Sequence, residues 1–308
     1  RTFIRIIRLL FKSIGKKVMN IKAKLLLTAT CLFLVPTFSQ QKETDSSTVK
    51  QDKRLYLNLD IASRYLWRGQ CWGGDYIAVQ PTVEFSIAPK LTLGFWATTN
   101  FKRDYFYPDG VSAYKGYQEI DFYLYYQLTD FLQFQLWDYY WPSVSKVEGV
   151  NNNYFNYGPD GSKTVDAMVY FDFSDGYRYP FNATISTLIA GNDFRYDTNG
   201  ENPKRNFTTY LELGYTFSFF KNSSQKSLQD IEVSPVVGAV LNNEAAYYTY
   251  ADYDKVSWVN LGVSTTKTLS LGGDISMPIT LSYTHNGAVK NTEIFGKNFV
   301  VATLSLSY

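Results

Sequence analysis

The run FVVATLSLSY (residues 299–308) alternates with a period of two: Leu304, Leu306 and Tyr308 share one face of an extended strand, and Thr303, Ser305 and Ser307 share the other. Successive side chains of a strand point to opposite faces. The run therefore has one apolar and one small polar surface. Ended by an aromatic residue, such a run suits the closing strand of a transmembrane β-barrel, whose outer face meets lipid and whose inner face meets a polar lumen. A barrel follows only if the alternation recurs along the chain.

It does recur. In residues 55–68, Leu55, Leu57, Leu59, Ile61, Ser63, Tyr65 and Trp67 fall in one phase and Tyr56, Asn58, Asp60, Ala62, Arg64 and Arg68 in the other, which predicts one long strand. Further strands are expected over residues 76–88, 91–100, 117–128, 131–141, 163–173, 181–190, 207–219, 231–241, 256–266, 279–285 and 298–308. The total is about twelve, an even number as single-chain bacterial barrels require, with residues 268–278 able to hide a boundary. Odd connections are long and rich in Gly, Asn, Asp and Tyr, beginning with QCWGGD (residues 70–75), and are expected as external loops, which puts Cys71 outside; the even ones are mostly short, as at residues 88–90 and 129–130, and are expected as periplasmic turns. The predicted fold class is all-β: a transmembrane up-and-down antiparallel β-barrel over residues 55–308, with the last strand pairing with the one that begins at Leu55.

Composition agrees. The 26 Tyr, 22 Phe and 6 Trp make 18% of the chain, enough to line two membrane interfaces with amphipathic rings. A net charge of +2 argues against nucleic acid as a partner. No later stretch approaches the roughly 18 apolar residues that a spanning helix needs.

Residues 19–40, MNIKAKLLLTATCLFLVPTFSQ, read as a secretory signal peptide: Lys22 and Lys24, an apolar run of residues 25–35, then a small polar exit. Met19 stands where such a peptide starts, so residues 1–18 are expected to be upstream of the true start. Residues 41–54 read as a disordered periplasmic lead-in. Cys31 falls within the apolar run and is expected to be lost on processing. Cys71 then stands alone, free or paired between molecules, because no internal disulfide is possible.

In four motifs the chain resembles the Gcw_chp family of predicted outer-membrane proteins: SRYLWRG (residues 63–69), LGFWATTN (93–100), EIDFYLYY (119–126) followed by YYWPS (139–143), and the closing VVATLSLSY (300–308). The resemblance spans most of the chain after the leader and is weakest in the long loops. It implies a barrel in the bacterial outer membrane and carries no established activity.

The inward phase collects Asp60, Glu84, Glu119, Asp121, Asp166, Asp172, Glu212 and Glu232, with Arg64 and Arg68 among them. Glu119 and Asp121 point the same way, roughly 7 Å apart along their strand. In a water-filled lumen these groups favour cations or neutral polar solutes. In a filled lumen they form a charged network with the two arginines, and Arg64 is expected near the level of Glu84. The passive channel is the first reading, and a packed barrel acting as a structural or partner-binding subunit is the second.

A membrane-embedded lipid hydrolase is the third and weakest. It would need the lone His285, whose neighbours Ser282 and Thr284 lie on its own strand, and a side chain one residue away faces the opposite side. No catalytic constellation is assigned, no metal site either, since Cys71 and His285 supply only two ligands, and no cofactor, because no phosphate-binding loop is present. Expected partners are outer-membrane lipids and the barrel assembly machinery. The Tyr-, Asn- and Gly-rich loops YFYPDG, NNNYFNYGPDG and AAYYTYADYD are candidates for protein or glycan contact.

Overall fold

The computed structural model of the protein describes residues 54–102, 116–143, 150–173, 179–196, 199–225, 228–229, 231–242, 257–288 and 296–308. The leader with Met19 and Cys31, the lead-in up to residue 53, and the loop motifs at 105–110 and 245–254 lie outside the described residues.

Sixteen strands follow in chain order: β1 (Leu55–Ala62), β2 (Tyr65–Trp67), β3 (Gln70–Trp72), β4 (Ala78–Ala88), β5 (Leu91–Thr99), β6 (Gln118–Thr129), β7 (Leu132–Tyr140), β8 (Lys163–Asp172), β9 (Phe181–Gly191), β10 (Phe194–Arg195), β11 (Lys204–Arg205), β12 (Thr209–Tyr215), β13 (Ile231–Val240), β14 (Ser257–Gly272), β15 (Ile275–His285) and β16 (Asn298–Ser307). Twelve of them close into one barrel, in the ring order β1, β4, β5, β6, β7, β8, β9, β12, β13, β14, β15, β16. Every neighbouring pair is antiparallel. The pairs β2–β3 and β10–β11 form separate two-stranded ribbons.

Closure happens where the alternation of residues 299–308 requires it. Asn58 pairs with Ser307, Asp60 with Ser305 and Ala62 with Thr303, and Leu57 and Tyr308 exchange both backbone hydrogen bonds, at 3.2 and 2.9 Å. With no free edge, the backbone groups of the wall bond within the wall, the condition for spanning hydrocarbon with strands. Leu304, Leu306 and Tyr308 face outward with Leu55, Leu57, Leu59 and Ile61 of β1, all exposed. At the short-turn end, Phe131, Phe173 and Phe181 stack in series at 5.0 and 4.5 Å, and Phe217 lies tilted on Tyr215 at 4.5 Å and stacked on Phe219 at 5.1 Å. They form part of an aromatic rim.

Three strand boundaries differ from those expected. The first strand stops at Ala62 instead of running to Arg68. The weak segment is strand: β14 runs on to Gly272 and β15 starts at Ile275, because Leu269, Leu271 and Ile275 keep the outward phase while Gly272 and Gly273 take positive φ at the turn. The strand expected over residues 207–219 is shortened to β12, beyond which Phe217 makes only an isolated bridge to Val233.

Candidate functional site

Ala62 and Ala78 are direct partners on one rung of the wall, so residues 63–77 leave the barrel and return to it at the same level. Ser63 holds the point of departure, donating its backbone N–H to the Ala302 carbonyl while its hydroxyl accepts from the Ala302 N–H. The excursion folds as the β2–β3 hairpin, with Trp67 paired to Gln70 across a two-residue turn. Arg68 and Gly69 both have positive φ, 46° and 81°, the requirement of a type I′ turn. A Cβ on Gly69 would sit 1.8 Å from the Val259 carbonyl oxygen, so the tip abuts β14, and Asn286 donates to the Gly69 carbonyl at 2.8 Å.

The hairpin crosses the lumen. Tyr65 packs on Trp96 of β5 at 5.4 Å and on Tyr117 at 5.6 Å, and Trp67 meets Tyr139 of β7 edge-on at 5.7 Å. Cys71 is buried against Ala62, Phe299 and Val301. The segment expected as an external loop is thus internal, and Cys71, expected outside, is a buried free thiol inside the barrel. Period-two alternation runs unbroken from β1 into β2 because both are extended, and it carries no mark of the change in direction between them.

Arg68 does the spanning. Its guanidinium lies 3.1 Å from Asp166 of β8, 4.6 Å above the Tyr210 ring of β12 and 4.7 Å from its neighbour Trp67. It also donates to Met168 Sδ at 3.6 Å. Arg64 makes no pair with Glu84. The inward turn carries it to Asp75 at 2.5 Å, on the return arm of the same excursion.

The expected acids of the wall alternate with the exposed apolar positions of their strands and divide by access, whereas Arg64 and Arg68 have left the wall with the hairpin. Glu119, Asp121 and Asp166 are 7, 2 and 0% exposed. Tyr117 donates to Glu119 at 2.8 Å, the Tyr140 N–H to Asp121 at 3.4 Å, and Tyr139 to Asp166 at 3.3 Å. Glu84 accepts from Tyr123 at 2.9 Å and Tyr125 at 3.3 Å, Asp60 from Asn58 at 2.8 Å, and Glu212 from Tyr210 and from Asn260. Asp172 is partly buried near the turn end, and Glu232 is exposed. Tyrosine hydroxyls, more than arginines, satisfy these carboxylates. Tyr117 and Tyr210 stand two residues before the acids they bond, a signal the sequence held, whereas Tyr123, Tyr125 and Tyr139 reach acids on other strands.

The two halves of the wall differ. From β5 to β8 the inside is aromatic: Trp137 stacks on Tyr123 at 3.9 Å and Tyr125 on Tyr123 at 4.8 Å. Gly94 makes room for this stack, since a Cβ there would meet the Tyr123 ring at 1.9 Å. Across β14 and β15 the inside is small and polar, with Thr266 and Thr280 bonded at 2.9 Å. Beneath the hairpin on that side lie a cavity of about 350 Å³ roofed by Leu66, Arg68 and Gly69, and one of about 270 Å³ bordered by Asn182 and Glu212. Both share Val236, Asn260, Ser282 and Thr284 in their walls. A third, of about 350 Å³, opens at the turn end between Gln127, Gln133, Tyr170 and Asp172.

His285 pairs with Leu261 on the outward phase, beside Asn298 at 2.9 Å, which also accepts from Tyr283. Ser282 and Thr284 border the lumen cavities, so the wall separates them from the imidazole. Lys163 was not foreseen: it is fully buried, 2.7 Å from Asp138 and 3.1 Å from the Tyr154 ring centroid. It ties loop residue Tyr154 to the barrel rim, and Tyr154 in turn packs on Tyr140 at 5.1 Å and donates to Asp138 at 3.0 Å. Among the described residues, no group of three His, Cys, Asp or Glu is arranged to hold a metal.

No family model matches the sequence, and no curated protein does. Among solved structures the chain is similar to the NanC porin, at 11% identity over 82% of this chain and 97% of that one, with a TM-score of 0.42. It is similar in the same measure to LpxR from Salmonella typhimurium, at 11% identity, 82 and 99% coverage and a TM-score of 0.42. An outer membrane channel from Pseudomonas putida F1 gives 10% identity, 82 and 92% coverage and 0.39. These likenesses concern the fold alone, and the barrel itself rests on the strand pairing described above.

Proposed function

We propose that the chain is a barrel of the bacterial outer membrane that passes small polar solutes, neutral or cationic, by diffusion, and that the β2–β3 hairpin narrows the route. The observation that carries this reading is the pair of cavities with shared walls on the small-residue side, bordered by serine, threonine and asparagine. A lumen filled for stability alone would be packed there with side chains. The apolar outer surface and the aromatic rim support residence in lipid, with a barrel assembly machinery as the route of insertion. The resemblance to the Gcw_chp family is consistent with that location. The outward placement of His285, away from Ser282 and Thr284, favours transport over lipid hydrolysis.

Purified protein in proteoliposomes should swell the vesicles in isotonic arabinose faster than empty vesicles do. Equal swelling rates would refute passage. The second reading, a closed barrel serving as a structural or partner-binding subunit, is favoured by one specific feature: the hairpin is pinned at Ser63, at Gly69 and through Arg68.

A further inference from the structure

Burial divides the lumen carboxylates into those a solute can reach and those it cannot. Glu119, Asp121 and Asp166 are sealed under the hairpin, and Asp166 already faces the Arg68 charge at 3.1 Å. Glu212 is different. It is partly buried and borders the smaller of the two joined cavities. Tyr210 and Asn260 both donate to its Oε2, and among the described residues no hydrogen bond reaches Oε1. Two donors on one oxygen fix the plane of the carboxylate and leave the other oxygen for a donor from within the cavity.

The surroundings suit one kind of donor. The same cavity is bordered by Asn182, Asn260, Ser234, Ser264 and Ser282, all able to accept hydrogen bonds. Gly214 leaves room for the Asn182 amide, because a Cβ at that position would lie 2.5 Å from Asn182 Oδ1. An ammonium has three donors, no acceptor and a positive charge. It matches one carboxylate oxygen surrounded by neutral oxygens. A carboxylate solute would meet Glu212 with like charge, and a neutral alcohol would gain no ion pair. The cavity volumes of about 350 and 270 Å³ lie at the small end of ligand sites and suit a small solute.

We infer that Glu212, held by Tyr210 and Asn260, forms a binding site for small primary ammonium solutes beneath the hairpin. This rests on the passage reading and places its selectivity at Glu212, away from Glu119 and Asp121. The test is calorimetric titration of the detergent-solubilised full chain at neutral pH with three probes of equal size: ethanolammonium, ethylene glycol and glycolate. Ethanolammonium should bind saturably, and ethylene glycol and glycolate more weakly by about tenfold or more, the worth of one charged hydrogen bond. Glu212→Gln should weaken ethanolammonium by a similar factor. Ser282→Leu, which fills the shared part of the cavities without touching Glu212, should weaken it too. Equal binding of the three probes, or ethanolammonium binding unchanged in both variants, would overturn the inference. Arabinose swelling separates the two proposals: swelling without ammonium preference removes this site and leaves passage standing, whereas ammonium binding without swelling supports the site and removes passage.

Discussion

Arg68 Nη1 lies 3.1 Å from Asp166 Oδ2, an ion pair that joins the tip of the β2–β3 hairpin to β8, across the ring from the strand the hairpin leaves. The Asp166 side chain is fully buried and that of Arg68 is 10% exposed. Removing one partner strands a buried charge, which costs about 3–5 kcal/mol, whereas replacing both by apolar groups is often close to neutral. Arg68→Met and Asp166→Leu should each destabilise the barrel strongly, and the double variant should recover most of the loss. Thermal unfolding in detergent checks this: a double variant as unstable as the sum of the singles would mean that the two residues act independently.

Gly69 is the backbone counterpart of that latch. Its φ of 81° disfavours any side chain, and a Cβ would overlap the Val259 carbonyl. Gly69→Ala should displace the hairpin tip at a cost of at least about 1–2 kcal/mol. Limited proteolysis should then cut within residues 63–77 of the variant while sparing the wild type. A variant as resistant as the wild type would show that the tip does not press on β14.

Cys71 reports the hairpin's position. Burial pushes its thiol up to about 11, against a smaller opposing pull from Arg64. An unfolded thiol titrates near about 8.5, so the protonated form is favoured in the folded protein. Its contribution to stability is complete below about pH 8.5 and is lost as the pH rises from there through about 11. At pH 8 a thiol reagent should label wild-type Cys71 slowly, and Arg68→Ala should speed labelling. Fast labelling of the wild type would contradict the buried position.

The outward and inward phases predict opposite responses to charge. Leu281 is 52% exposed on the lipid side of β15, and its neighbour Thr280 bonds Thr266 inside. Leu281→Arg should cost about 2–4 kcal/mol in folding into lipid vesicles, as charge near the bilayer midplane does, whereas Thr280→Arg should cost clearly less. Equal costs would argue against a lipid-facing wall.

The wall was legible in the sequence because alternation, aromatic frequency and turn length all report on a strand that faces lipid on one side. The phase of residues 299–308 located the seam with β1, where Asp60 pairs with Ser305 and Ala62 with Thr303. The hairpin was not legible. The alternation of Tyr65 and Trp67 continues that of Leu59 and Ile61, although one pair points at the lumen contents and the other at lipid. The only local mark of the reversal is the pair Arg68–Gly69, a turn signal too common to outweigh a period. The partner of Arg64 depended on that reversal, and so did the burial of Cys71. Glu212 stood among the inward acids from the start. What distinguishes it is the pair of donors on one oxygen: Tyr210 stands two residues away on β12, but Asn260 comes from β14, a relation that no spacing along the chain encodes.

In the proposed function a polar route runs through the barrel and the hairpin restricts it. Because Ala62 and Ala78 share a rung, residues 63–77 can be replaced by Asn-Gly, a two-residue turn suited to joining antiparallel neighbours. Single-channel recording in planar bilayers compares this variant with the wild type. The variant should show a steady conductance severalfold above that of the wild type, with cation preference that Glu212→Gln reduces. A folded variant that leaves the bilayer sealed at all voltages would contradict passage through the barrel.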